Sequence, residues 1–217
     1  MNDASARFQG TYGYLVGDSE HPSRLFLARH GEVATVGVLY GQMDVPLSER
    51  GRTQSLALAE RLRPYRLDAI YASDLERARW GAEQIAADRG LIVQIRPALR
   101  ERMFGAWQGK TWAEIQALSP EHYEAYRRDF LTATIPGGGE TYVDVRDRVM
   151  PVVEEMTGGG DGRHALLIAH AGVLRVILAE TLGMPLRHIF RIELDYMNLS
   201  IIDAHPNGRR VVKMING

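Results

Sequence analysis

The chain lacks cysteine, a long apolar run and an excess of charge, and each absence excludes a class of protein. Without cysteine among its 217 residues it has no disulfide, no thiol nucleophile and no thiolate metal ligand. No stretch approaches the ~20 consecutive apolar residues that span a bilayer. The first twenty residues lack the basic start and apolar core of a signal peptide, so we expect a cytoplasmic protein without a membrane segment. A formal net charge of −1 gives no global field to attract nucleic acid or an anionic membrane.

The remaining composition is that of an ordinary globular protein. Of its residues, 45% are hydrophobic and 24% are charged, which is enough apolar material for a sizeable core. Residues 1–22 are small, polar and glycine-containing, and we expect them to form a flexible N-terminal extension. Residues 23–217 show no linker or internal repeat and should form a single domain.

Short apolar runs alternate with amphipathic stretches from Arg24 onward. This alternation predicts an α/β fold: a single three-layer α/β/α domain with a mainly parallel sheet covered on both faces. Two further runs joined by "PNG" predict an antiparallel hairpin at the edge of the sheet. The predicted strands cover residues 24–29, 67–73, 91–96, 164–170, 199–205 and 209–215.

Basic side chains follow three of these apolar runs. Arg29 and His30 end the first run, Arg77 comes shortly after the second, and His170 ends the run "HALLIAH". In open α/β sheets, ligands bind beyond the carboxyl ends of the strands. We therefore expect two guanidinium groups and two imidazoles to form a local basic cluster at one rim.

Such a cluster suits phosphoryl transfer. Arginine presents a planar fork of donors that matches phosphate oxygens, and imidazole can act as a nucleophile that forms a covalent intermediate. Nearby cations disfavour protonation of a histidine and stabilise a transferring phosphoryl group. A proton must also reach the leaving oxygen, and Glu101, between Arg100 and Arg102, is the candidate donor; we expect both arginines to point away from the site.

Six stretches in order resemble the histidine phosphatase superfamily, in its phosphoglycerate mutase-like branch. They are "LARHGE", "GQMDVPLSERGRTQ", "YASDLERARWGAEQIA", "LRERMFGAWQGKT", "PGGGET" and "LIAHAGVLRVIL". A single Arg-His-Gly would be weak evidence, but six ordered matches between Leu25 and Asn198 are specific. The resemblance implies that residues 23–217 form a catalytic domain. It also implies a phosphatase that hydrolyses small phosphate monoesters through phosphohistidine, without a cofactor.

The resemblance also implies roles for individual residues. His30 would be the nucleophile, and Glu101 would donate a proton to the leaving oxygen and then help to activate water. The phosphoryl oxygens would be bound by Arg29, Arg77 and His170. The substrate side would be lined by Gly41 and Gln42.

The chain departs from the family pattern after the first motif. Val33 and Val36 stand where the family usually has threonine and asparagine. One polar contact to the phosphate side is thereby lost or supplied elsewhere. We expect both valines at the mouth of the pocket, where they would favour a substrate with a less polar body than phosphoglycerate.

Two alternatives to a phosphatase remain at this point. A cofactor-dependent phosphoglycerate mutase shares the first half of the mechanism, but residues 113–139 have only Arg127 and Arg128 as cations, which favours hydrolysis. A non-catalytic phosphate-binding module would need neither a nucleophile nor a proton donor. No residue spacing typical of a metal site occurs, so we expect no metal. The expected partner is a small phosphorylated metabolite, and base rates alone favour a homodimer.

Overall fold

A six-stranded mixed sheet forms the centre of the structure, a computed structural model that describes residues 21–217. The strand order is β3-β2-β4-β1-β5-β6. The first four are mutually parallel, β5 runs antiparallel to β1, and β6 pairs antiparallel with β5. The strands are β1 (Ser23–Arg29), β2 (Ala69–Ala72), β3 (Val93–Ile95), β4 (His164–Ala169), β5 (Leu199–Ala204) and β6 (Arg210–Met214). The predicted parallel sheet with an antiparallel edge is confirmed.

The helices begin and end at residues with clear local signals. Ser48 accepts a hydrogen bond from the Gly51 N–H and starts α1, and Gly183 ends α6 in the left-handed conformation that glycine tolerates best. One helix, Tyr142–Thr157, runs through Pro151 without a break. The helices are α1 (Glu49–Leu62), α2 (Glu76–Ala87), α3 (Trp112–Leu118), α4 (Pro120–Arg128), α5 (Tyr142–Thr157) and α6 (Ala171–Leu182). None of these described helices is long and apolar enough to cross a membrane.

The sheet is covered on both faces, which gives the predicted three layers. Successive residues of β1 point to opposite faces: Leu25 and Leu27 pack with residues of α5 and α6, whereas Phe26 and Ala28 pack with residues of α1 and α2. All four are at most 1% exposed. A strand buried on both faces reads as a continuous apolar run, as "LFLA" does.

The carboxyl ends of β1, β2 and β4 lie side by side. The backbone N–H of His30 donates to the Ala169 carbonyl at 2.9 Å, and that of Ser73 donates to the Ile168 carbonyl. The sheet therefore brings the residues that follow these three strands to one rim, as predicted. The expected N-terminal extension falls almost entirely outside the described residues and stays a prediction.

Candidate active site

His30 is the buried imidazole directly after β1, and it is 2% exposed. Its Nδ1 lies 2.7 Å from the Gly31 carbonyl oxygen. A carbonyl can only accept, so Nδ1 carries the proton and Nε2 keeps its lone pair. Burial lowers the pKa of His30 well below its usual value of 6.5, and the charge of Arg77 adds to this effect. The geometry thus presents a neutral imidazole with a defined tautomer.

Two arginines flank this imidazole. Arg77, on α2, is fully buried and donates to the Gly41 and Met43 carbonyls at 2.6 and 2.8 Å. Arg29 donates to the Leu194 carbonyl at 2.9 Å. The Nε–H of each arginine is buried without a partner among the described residues. Because a buried unpaired donor costs about 1–3 kcal/mol, two of them beside one histidine indicate a site built for an anion.

His170, directly after β4, is the second imidazole. It is fully buried, and the centroid of its ring lies 5.1 Å from that of His30. Its Nε2 is 3.0 Å from the Ser73 hydroxyl, while its Nδ1 has no partner in the described structure. Burial first, and then Arg77 and His30, lower the pKa of His170 well below 6.5. This histidine is also neutral at pH 7 and leaves one ring nitrogen for a ligand.

Glu101 lies in a loop and reaches the start of α6. Its carboxylate accepts hydrogen bonds from the backbone N–H of Arg102 at 2.8 Å and of Gly172 at 3.1 Å. A Cβ at position 172 would lie only 2.4 Å from Glu101 Oε1, so this close approach requires glycine. Since Gly172 follows His170 by two residues, the carboxylate lies at the start of the helix that His170 precedes.

The side chains of the two arginines that flank Glu101 in the sequence bind groups other than its carboxylate. Arg100 binds Asp74 through two hydrogen bonds of 2.8 and 2.5 Å. Arg102 is fully buried, donates to the Glu140 carbonyl at 2.6 Å and lies 4.5 Å from the centroid of the Tyr142 ring.

Gly41 and Gln42 form part of the scaffold around these groups. Gly41 has a φ of +45° and accepts a hydrogen bond from Arg77. Gln42 donates through its amide to the Glu101 carbonyl at 3.0 Å and through its backbone to Gln108. Both residues thus brace the arginine and the acid-bearing loop, and their contact with substrate stays a prediction.

An apolar cleft adjoins the charged cluster. It has a volume of about 330 Å³ and is lined by Thr35, Val36, Gly37, Val38, Leu39, Tyr40, Lys110, Trp112 and Tyr196. Tyr196 connects the cleft to the charged cluster. The centroid of the Tyr196 ring lies 3.8 Å from the Arg29 guanidinium and 5.7 Å from the centroid of the His30 ring. Lys110 is the single charged residue among the nine that line this cleft.

The two valines that depart from the family pattern have different environments. Val36 is 75% exposed and lines the cleft, as expected. The expectation that Val33 lies at the mouth is wrong: it is 2% exposed and pairs with Leu47 in a short antiparallel bridge. Trp112, which stacks on Tyr126, is 42% exposed and also lines the cleft.

Sequence reasoning missed two contacts of the cluster. Ser73, which bonds His170, ends a predicted strand, and that position was a usable signal. Tyr196 lies in an irregular segment, and nothing local in the sequence indicates that it covers Arg29. Within residues 21–217, no three histidine or carboxylate side chains come together in a way that could hold a metal ion.

Neutral imidazoles, buried guanidinium donors and a carboxylate at the rim of a parallel sheet define a phosphoryl-transfer site. The chain belongs to the histidine phosphatase superfamily (branch 1), whose sequence profile matches residues 25–217. It is accordingly a phosphoric monoester hydrolase that acts on small phosphate esters, in a family typified by a phosphohistidine intermediate.

Several relatives are phosphatases of small molecules. The chain is 40% identical over 172 residues to a glucosyl-3-phosphoglycerate phosphatase of Mycobacterium tuberculosis, covering 75% of this chain and 76% of that protein. It is 34% identical to the adenosylcobalamin/α-ribazole phosphatase of Escherichia coli, covering 84% of this chain and 90% of that protein. The solved structure of an α-ribazole phosphatase from Shigella flexneri superimposes with a TM-score of 0.82 at 30% identity, with 89% and 96% covered.

Proposed function

We propose that His30 is the nucleophile and Glu101 the proton donor of this phosphatase. In the first step, His30 Nε2 forms a bond to phosphorus while the ester P–O bond breaks, and the leaving oxygen takes the proton of the Glu101 carboxyl group. In the second step, Glu101 removes a proton from water, whose oxygen attacks phosphorus and breaks the P–N bond. Inorganic phosphate and neutral His30 are the products.

The remaining groups of the site would stabilise the charges of the phosphoryl group and of the His30 ring. Arg29, Arg77 and His170 would bind the phosphoryl oxygens and stabilise the charge of the transition state. The Gly31 carbonyl, 2.7 Å from Nδ1, would stabilise the positive charge that the ring of His30 gains on phosphorylation. The observation that carries this proposal is the tautomer of His30, because it leaves Nε2 as the free nucleophile next to two unpaired arginine donors.

Trapping the intermediate tests this assignment. Rapid acid-free quenching with radiolabelled substrate should capture acid-labile, base-stable phosphate on the wild-type protein. His30→Ala should carry no label, and its kcat should fall at least about 1,000-fold. His122→Ala, exposed on α4, is the matched control and should keep both. Normal turnover by folded His30→Ala would reject the assignment, and net interconversion of phosphoglycerates without phosphate release would indicate a mutase.

The cleft indicates a class of substrate. Tyr40, Trp112 and Tyr196 line the cleft with aromatic side chains that suit contact with a ring, and Lys110 offers one cation to a carboxylate. Among the substrates named for the relatives, glucosyl-3-phosphoglycerate combines a sugar ring, a phosphate and a carboxylate. We therefore place the substrate among phosphate monoesters that carry both a ring and a second negative group.

A matched panel of esters tests this class. The panel contains an ester with a ring and a carboxylate, one with a ring alone, such as α-ribazole phosphate, and one with a carboxylate alone, such as phosphoserine. We expect the highest kcat/KM for the first. Lys110→Met should raise its KM about tenfold and leave the ring-only ester unchanged. Equal effects on both esters would contradict the role of Lys110.

A further inference from the structure

The guanidinium group of Arg148 on α5 holds the backbone of the loop that carries Glu101. It donates to the Ala98 carbonyl at 2.6 Å and to the Glu101 carbonyl at 3.1 Å. It also binds Glu140 through two hydrogen bonds of 2.7 and 2.9 Å. Glu140 in turn accepts the Met103 N–H at 2.8 Å. One ion pair thus makes contacts before, at and after the acid.

This ion pair is well placed to limit movement of the loop. The side chains of Arg148 and Glu140 are each 21% exposed, and charge-assisted bonds with bidentate geometry are stronger than neutral ones. The loop itself has little regular structure, with one short 3-10 helix at Pro97–Leu99 before the acid. Its position therefore depends on contacts with neighbouring elements, among them the bonds from Arg148 on α5 and from Gln42 to the Glu101 carbonyl.

We propose that Arg148, braced by Glu140, is a positioning residue that keeps the Glu101 carboxyl group at the leaving oxygen of the substrate. Arg148 donates to the backbone carbonyl of Glu101, whereas the carboxylate of Glu101 accepts the backbone N–H groups of Arg102 and Gly172. The inference rests on the proposed role of Glu101 as proton donor. A displacement of about 1 Å in a catalytic group can slow a reaction about 100-fold.

The proposal has a kinetic signature that general loss of structure lacks. An alkyl phosphate needs a proton on its leaving oxygen, whereas p-nitrophenyl phosphate releases a stable anion without one. The comparison uses kcat/KM, which reports the phosphorylation step, because hydrolysis of phosphohistidine also needs Glu101 and is common to both esters. Arg148→Met should therefore lower kcat/KM for glycerol phosphate about 10- to 100-fold and for p-nitrophenyl phosphate less than about threefold. Glu101→Gln should show the same selectivity with a larger loss.

Arg148→Met also removes a positive charge, and this loss of charge is a rival explanation for a slower rate of the variant. Burial, Arg77 and His30 lower the pKa of His170, and Arg148 adds to them. Arg148→Lys separates the two explanations, because lysine keeps the charge but cannot reproduce the planar fork that spans Ala98, Glu101 and Glu140. We expect this variant to stay slow on glycerol phosphate, and full recovery would overturn the positioning role.

A double-variant cycle completes the test. If Arg148 acts through Glu101, then Glu101→Gln/Arg148→Met should be no slower on glycerol phosphate than Glu101→Gln alone. Arg146→Met is the matched control on the same helix, since the side chain of Arg146 bonds its neighbour Asp147, and it should retain wild-type rates. If Arg148→Met fails to fold by circular dichroism, Glu140→Gln replaces it, because it keeps the volume and removes the ion pair.

Different outcomes reject different claims. If Glu101→Gln loses the same factor on both esters, the proposed role of Glu101 fails, and the inference fails with it. If Glu101→Gln is selective but Arg148→Met slows both esters equally, or if the two losses multiply, only the positioning role of Arg148 is overturned.

Discussion

The free energy of unfolding should fall steeply as the pH drops from 7.5 to 5, because two buried histidines resist protonation. The pKa values of His30 and His170 lie well below 6.5, chiefly through burial. In the unfolded chain both imidazoles regain a pKa of about 6.5, so the unfolded state binds more protons below that pH. Stability is therefore complete above about pH 7.5 and is lost as the pH falls through 6.5.

The magnitude follows from the pKa of the unfolded chain. One histidine that stays neutral in the folded state contributes a slope of up to about 1.4 kcal/mol per pH unit. Between pH 7.5 and pH 5 this sets an upper limit of about 2 kcal/mol for each histidine and about 4 kcal/mol for the pair, reached when neither imidazole takes up a proton in the folded state. Domains of this kind are stable by about 5–15 kcal/mol, so the loss would be plainly measurable.

Other titrating groups act weakly or in another pH range. Arg100 lowers the pKa of the Asp74 carboxyl group, and Arg96 lowers that of Glu155. Carboxyl groups of this kind contribute stability that is lost only as the pH falls below about 4. Burial also lowers the pKa of His164, which acts in the same direction as the site histidines but is only half-buried.

Urea titrations at pH 7.5, 6.0 and 5.0 measure the effect. The buffers must be free of phosphate, because an anion bound to the folded state adds stability of its own. His30→Gln and His170→Gln should each remove about half of the loss, whereas His122→Gln, exposed on α4, should keep all of it. A wild-type stability that is flat between pH 5 and 7.5, or site variants with the full loss, would refute the reasoning.

Three further predictions follow from the site. Gly172→Ala should slow alkyl phosphates about 100-fold by displacing Glu101, and an unchanged rate would contradict the 2.4 Å approach. Exhaustive chelation should leave kcat unchanged, and a loss restored by one divalent ion would reject metal-independent catalysis. Val36→Asn should raise kcat/KM for 3-phosphoglycerate about tenfold relative to a ring-bearing ester, and no change would remove Val36 from the substrate side.

Local patterns in the sequence were sufficient for the architecture. The run from Leu25 to Ala28 packs on both faces of the sheet, which its unbroken apolar character predicts for a parallel strand. Ser48 and Gly183 mark helix ends because capping depends on neighbouring residues alone. Arg29, His30 and His170 meet at one rim because parallel strands that neighbour each other end on the same side.

Irregular segments were not predictable in this way. Val33 is buried through its pairing with Leu47, fourteen positions along the chain, and no local pattern encodes that contact. Tyr196 reaches Arg29 because β5, which follows it, lies next to β1 in the sheet. Loops take their shape from such distant contacts, whereas helices and strands follow a period that can be read from the sequence.

The amino-acid sequence by itself determined which chemical groups the protein has and which strand ends carry them. Only the tertiary structure decided the protonation state and the hydrogen-bond partners of those groups. His30 is neutral because the folded chain buries it and brings Arg77 beside it, and Glu101 meets the N–H of Gly172 across 71 positions of the chain. Protonation and hydrogen bonding depend on the dielectric and on distances of a few ångströms, and these exist only once the chain has folded.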